Sequence, residues 1–398
     1  LLAPLAQQNK RIAFSGPDSF STTRAGFKSY YKIAFTTHID TQTLKEAGTV
    51  VYKKQTKKIP LAECAPGMRL AQDLFSRNDT LILPAGSVLD IYTIMRLRDM
   101  MLFNEVEILD LTEAEIASAT QVFESQYKDQ IDEMKDIYSS LETGNLLRME
   151  TVRSIVGDII NYGIGDRDIL HSLNKLRSVD EYTYTHSLNV GILAMMLARW
   201  LRLDENGIRQ ACYAGVLHDI GKTRVSSEIL NKPGKLTEAE FAEIKRHSAE
   251  GYMILQNNPT ISEHIRQGVL MHHERIDGTG YPTGATAGKI HINGKIIAIA
   301  DIFDAMVSDR CYHKRDCPFD VLEHFETQGL GHLDSKYMAI FIQKMSAYFI
   351  GEMVSLSDGR QAEVIFVNSF QLSRPVVKVE DQVIDLTREK DLNITALA

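Results

Sequence analysis

The chain has 398 residues, more than a single domain usually holds, so two or three domains with at least one sizeable core are expected. With 44% hydrophobic and 24% charged residues it has an ordinary globular composition, and a formal net charge of -8 argues against a nucleic-acid polymer as partner while leaving room for local basic pockets. The longest apolar run of the central region, Val190 to Ala198, is closed by Arg199 and falls short of the ~20 residues that span a bilayer, which predicts a buried helix and no membrane span.

Residues 1–54 begin "LLAPLAQQNK" without a methionine or a signal-peptide layout, carry no interpretable motif, and read as an uncertain segment of a longer chain. Residues 55–111 change character. Short apolar stretches broken by Pro66-Gly67, Asn78-Asp79 and Pro84-Ala85-Gly86 predict a small β-rich domain that closes with a short helix and a strand. Residues 112–145 read as a charged amphipathic helix, a linker or a dimerisation element, which keeps a homodimer open. From 146 to 348 apolar positions recur three and four apart, the pattern of a helical bundle. Within it Thr237 and Glu240 form a capping box that predicts a helix starting there and running through His247. Residues 349–398 revert to strands, with a hairpin turn at Asp358-Gly359, and read as a small β appendage. Cys64, Cys212, Cys311 and Cys317 form no CxxC pair, so neither a disulfide framework nor a zinc ribbon is expected, and a reducing cytoplasm fits best.

The helical region sets histidines beside carboxylates. His186 lies in "YTYTHSLNV", His218-Asp219 in "VLHDIGK", His247 in "IKRHS", His272-His273 in "MHHE" and Asp301 in "IAIADIFDAM". Imidazole and carboxylate together suit iron, manganese or zinc, and a bundle builds such a site in its core from several helices. Asp219 is placed to bridge two ions. Neighbouring residues on a helix point about 100° apart, so His272 and His273 reach one cluster only where a helix begins or ends. Glu274 and Asp277 are expected to orient imidazole rings or adjacent side chains. In "DGTGYP", Gly280 permits close backbone approach, Pro282 stiffens the exit, and Tyr281 offers an aromatic face on which a planar base can stack. His38, His171, His264, His291, His324 and His332 read as surface or hydrogen-bonded core residues.

"LHDIGK", then "HHERIDGTGYP", then "ADIFDAMVSDR" resemble the HD-GYP family, a subgroup of the HD-domain metal-dependent phosphohydrolases, over about 200 residues from roughly 146 to 348. The resemblance implies a mainly α fold: a helical HD-type bundle with a dinuclear metal core, flanked here by small β-rich N-terminal and C-terminal domains. It also implies hydrolysis of cyclic di-GMP to pGpG or GMP. The implied ligands of two divalent ions, iron or manganese, are His186, His218, Asp219, His247, His272, His273 and Asp301. Asp219 and Lys222 would be catalytic, while Tyr281, Gly280, Pro282 and Arg310 would contact substrate. Two ions roughly 3.5 to 4 Å apart would activate a bridging hydroxide, with Lys222 and Arg310 stabilising the added charge. Tyr182 stands where members with a third metal carry a glutamate, so two ions are expected. "DRCYHK" departs from the family's "DRPY" and following base: Cys311 replaces proline, and His313 brings less charge near neutral pH than lysine or arginine. Two other readings compete: an HD phosphohydrolase acting on another nucleotide, and a catalytically weak or inactive cyclic-dinucleotide sensor. The complete ligand set argues against the sensor.

Overall fold

The computed structural model describes residues 56–397 except 78–80, 90, 111–112, 163, 177–181, 233, 309–316, 328, 330 and 369–370. Residues 1–54, His38, Arg310, Cys311 and His313 therefore lie outside the described residues.

The chain first builds the small β unit. Strand β1 (Thr56–Pro60) is followed by the short pair β2 (Leu74–Phe75) and β3 (Leu81–Leu83), helix α1 (Ile91–Asp99) and β4 (Glu105–Leu109), which returns antiparallel to β1 with Ile59 opposite Val106. In β4, Val106 and Ile108 point inward while Glu105 and Glu107 alternate with them, the period of two that puts one strand face on a core. They meet Leu70, Leu89, Ile94 and Leu97 in a core separate from that of the helices.

Helix α2 (Glu113–Glu142) runs along the bundle rather than out from it. Phe123, Tyr127, Met134, Tyr138 and Leu141 recur at helical spacing and are buried in the bundle core. The Tyr127 hydroxyl donates to Asn189 Oδ1 at 2.7 Å, and the Tyr138 hydroxyl lies 3.1 Å from Ser187 Oγ. After α3 (Met149–Ile160) and α4 (Asp166–Leu176), both of those partners sit on α5 (Tyr182–Trp200). That helix is buried at every residue from Thr185 to Ala198, so it is enclosed on all sides and forms the axis of the bundle.

Helix α6 (Glu205–Leu217) starts on an Asp204 cap, whose side chain accepts from Gly207 N at 2.7 Å, and packs along α5. A tight 3-10 turn at Ile220–Arg224 leads to α7 (Ser227–Leu230) and α8 (Glu238–Lys245). The Thr237–Glu240 capping box is present, but the helix does not run on through His247. Arg246 N–H turns to Glu243 O at 3.0 Å, and His247 Nδ1 occupies Ile244 O at 2.6 Å, so a new helix, α9 (His247–Gln256), begins at the histidine. Then follow α10 (Glu263–Met271), α11 (Ile292–Val307), α12 (Pro318–Thr327) and α13 (Ser335–Tyr348).

The chain closes with β5 (Met353–Leu356), β6 (Gln361–Asn368), β7 (Gln371–Val379), β8 (Gln382–Asp385) and β9 (Ile394–Leu397) in one antiparallel sheet of order β8-β7-β6-β5-β9. The expected turn is at Asp358-Gly359, where Leu356 N donates to Arg360 O at 2.8 Å. Val354, Val364 and Val377 belong to the same apolar core as the helices. The Glu326 carboxylate of α12 accepts from Leu372 N at 2.7 Å, tying the sheet to the bundle. The fold is mainly α, and no helix among the described residues is long and apolar enough to cross a membrane.

Candidate metal centre

Helix ends bring the histidines together. The last carbonyls of a helix have no partner within it, and an imidazole at the end can return to one of them. His218, just past α6, places Nδ1 2.8 Å from Gly215 O. His272, just past α10, does the same with Val269 O at 2.6 Å. A carbonyl only accepts, so in these rings, and in His247, Nδ1 carries the proton and Nε2 is the nitrogen turned inward, free to ligate a cation through its lone pair. His186 comes from the middle of α5 instead. Its Nδ1 lies 2.8 Å from Asp304 Oδ2 and its Nε2 3.0 Å from Asp301 Oδ1.

Three overlapping groups result: His186, His218 and Asp301; His218, Asp219 and His272; and His247, His272 and His273, with the donor atoms of each within 4.8 Å of one another. All seven residues expected as ligands are therefore gathered in one place. Asp219 stands between the halves. Its Oδ2 is 3.3 Å from His218 Nε2, its Oδ1 is 3.4 Å from His247 Nε2, and Lys222 Nζ lies 2.5 Å from Oδ2.

The donors fit divalent cations. His247 Nε2 and His272 Nε2 face each other at 3.1 Å although both rings hold their proton on Nδ1, so two lone pairs meet, an arrangement a cation relieves. His218 Nε2 is buried and makes no hydrogen bond among the described residues. Charge points the same way. Burial, reinforced by His273 and His218, pushes His272 well below the usual histidine range, and burial holds His273 down to about 4. Burial alone would raise the Asp219 carboxyl, but His218 and Lys222 hold it well below the usual carboxylate range. His186 moves the other way: burial is outweighed by Asp301 and Asp304, which lift it to about 9.

All of these donor residues except the fully buried His218 form one wall of a cavity of about 660 Å³ that Lys222, Gly280 and Tyr281 also line. Tyr281 lies with its ring centroid 4.7 Å from that of His273 at 30°. Gly280 closes the loop back on the histidine turn: a Cβ there would stand 2.3 Å from Arg275 N and 2.6 Å from His273 O, so no larger residue fits. Pro282 is exposed and is not among the lining residues. Tyr182 stacks on His186 at 5.2 Å and 15°.

Glu274 and Asp277 orient neighbouring side chains, as one half of their expectation had it, and not the rings that face the centre. Glu274 orients no imidazole; its buried carboxylate accepts from Thr283 N and Oγ1, both at 2.7 Å, and from Ala285 N at 3.0 Å, so it straps the loop after Pro282. Asp277 accepts from Thr279 N at 3.0 Å and pairs with His332 Nδ1 at 3.0 Å, away from the metal-facing rings. His264 and His291 pair with each other at 2.9 Å, while His324 and His332, expected to be bland, line the cavity. Asp304 was missed although it is fully buried and holds His186 in place, with Asn189 Nδ2 donating to its other oxygen at 2.9 Å. The signal was its position three residues after Asp301, on the same face of α11. Asp304→Asn is expected to lower metal affinity about 10- to 100-fold, as losses of such orienting partners do. Metal titration followed by isothermal calorimetry would show it, and unchanged affinity would remove Asp304 from this role.

A helical bundle that gathers adjacent His and Asp with further histidines around a buried centre has the arrangement of an HD domain. Residues 169–336 match the family model described as HD domain, and the HHERIDGTGYP segment lies inside the matched region. A cyclic di-GMP phosphodiesterase of Pseudomonas aeruginosa is 39% identical over 229 residues, covering 55% of this chain and 55% of its own. A cyclic di-GMP phosphodiesterase of Thermotoga maritima is 41% identical over 146 residues, 36% of this chain and 39% of the relative. A 3'3'-cGAMP-specific phosphodiesterase of Vibrio cholerae is 33% identical over 180 residues, 44% and 41% of the respective chains. The chain thus spans about half the length, or less, of these curated relatives.

Proposed function

We propose that the helical body is a metal-dependent phosphodiesterase that hydrolyses cyclic di-GMP to pGpG, GMP or both. The observation that carries this reading is the convergence of the His and Asp donors with Lys222 and Tyr281 at a single cavity. The names of the relatives support the cyclic dinucleotide class.

His186, His218 and Asp301 would hold one divalent ion and His247, His272 and His273 a second, with Asp219 shared; iron and manganese suit this mixture of imidazole and carboxylate. Bound there, such ions act as Lewis acids toward a phosphoryl oxygen and lower the pKa of water. The chain's own groups do the rest. Lys222, partly exposed at 29%, presents an ammonium beside Asp219 to the charge that gathers on phosphate oxygens. Tyr281 offers its ring to a base, and because burial pushes its hydroxyl up, that hydroxyl remains a donor at neutral pH. Arg310, outside the described residues, is proposed as a further phosphate contact.

The test is chromatographic analysis of cyclic di-GMP incubated, without oxygen, with protein reconstituted in ferrous iron or manganese. Appearance of pGpG or GMP is the expected result. Unchanged cyclic di-GMP at measured two-metal occupancy would overturn the reading, and cleavage of 3'3'-cGAMP in the same assay would then move it to that substrate.

A further inference from the structure

The cavity holds a feature that a metal centre does not require. Outward from the histidines, ring and cation contacts succeed one another: His273 to Tyr281 at 4.7 Å, Tyr281 to Lys245 Nζ at 5.3 Å, and Lys245 Nζ to the Phe241 ring at 4.5 Å. Phe241 and Lys245 lie four residues apart on α8, on the same face of the helix, and both line the cavity. Phe241 is nonetheless 47% exposed, so core packing does not account for an aromatic residue there. A lone cation–π pair on a surface helix would explain Phe241 and Lys245 but not why the same ammonium also sits over Tyr281.

We infer that Phe241 and Lys245 form a second recognition subsite, in which the Phe241 ring stacks one base of the substrate and Lys245 meets the phosphodiester that is not being cleaved. This rests on the cyclic dinucleotide reading. Such a ligand carries two bases and two phosphates, and the structure offers two aromatic faces with a cation between them. Tyr281, against His273, serves the half near the metal donors; Phe241, at the far end of the same row, serves the other half. A planar ring is sequence-tolerant, because every base has a π-face, so this subsite selects for a dinucleotide over a mononucleotide more strongly than for one base over another.

The experiment compares the metal-loaded 398-residue protein with its Phe241→Ala, Phe241→Leu and Lys245→Gln variants on two substrates, cyclic di-GMP and methyl p-nitrophenyl phosphate, which has a single diester and a single ring and cannot fill both subsites. Either Phe241 variant is expected to raise KM for cyclic di-GMP about tenfold, the loss of one base–aromatic stack, and so to lower the preference for cyclic di-GMP over the small diester by the same factor. Phe241→Leu keeps an apolar side chain on the helix, so agreement between the two variants separates loss of the planar face from damage to α8. Metal content, measured in parallel, is expected to be unchanged. An unaltered KM, or equal losses on both substrates, would overturn the inference alone. Wild-type protein that cleaves the small diester but neither binds nor cleaves cyclic di-GMP or 3'3'-cGAMP would overturn the functional reading and this one with it.

Discussion

On the proposed function, Asp219→Ala is expected to lose both metal ions and to lower phosphodiesterase kcat/KM by at least about a thousandfold. Partners that only orient a ligand are worth about 10- to 100-fold, and Asp219 is more than that. Of the carboxylates in the centre it is the one whose two oxygens reach both halves, 3.3 Å from His218 Nε2 and 3.4 Å from His247 Nε2. Its removal also leaves six donors that are mostly imidazoles, three of them held neutral by burial, with less negative charge to balance two dications. The Lys222 ammonium then faces the cluster without its partner and repels what remains. Metal analysis by mass spectrometry and product chromatography on one preparation would check this. Undiminished hydrolysis by a metal-depleted Asp219→Ala protein would sink the metal mechanism.

Gly221→Ala is expected to have the largest effect of any single methyl added to the bundle. The added Cβ would stand 1.9 Å from His247 O and 2.4 Å from Gly251 N, both backbone atoms that no rotamer change can move aside. The turn after Asp219 and the start of α9 would have to separate by an ångström or more. Overpacking of this kind costs about 1–3 kcal/mol, and a domain of this size loses about 2–4 °C in Tm for each kcal/mol. The same separation pulls His247 from Asp219 and Lys222, so metal content should fall along with Tm. Thermal unfolding before and after metal loading measures both, and a variant with wild-type Tm and full metal occupancy would show that the two segments slide apart freely.

The parts of this protein that could be read from sequence are those whose chemistry is local. His218-Asp219 and His272-His273 announce a metal site because adjacent ligands have few other uses, and the Asp358-Gly359 turn declares a hairpin within a few residues. Asp304 was not legible, because its role depends on a 2.8 Å contact with His186, 118 positions earlier, and only packing of α5 on α11 creates it. Glu274 was legible only in part. Beside two histidines it resembles an orienting carboxylate, yet the loop folds back so that Thr283 and Ala285 reach it first. The break before His247 was hidden by a helical pattern that continues on either side, since the interruption comes from the His247 ring taking a backbone acceptor. Phe241 escaped notice because an exposed aromatic on a helix has no sequence signature.

Helix α12 turns Phe325 and His324 toward the cavity while its next residue, Glu326, grips β7 through Leu372 and Ser373. With Val354, Val364 and Val377 sunk into the bundle's own core, the terminal sheet cannot be exchanged like a cassette. Any lineage or engineer replacing it must rewrite the facing surfaces of α12 and α13 at the same time. The sheet and the cavity are thus coupled through shared packing, and recombination breakpoints between them are expected to be rare.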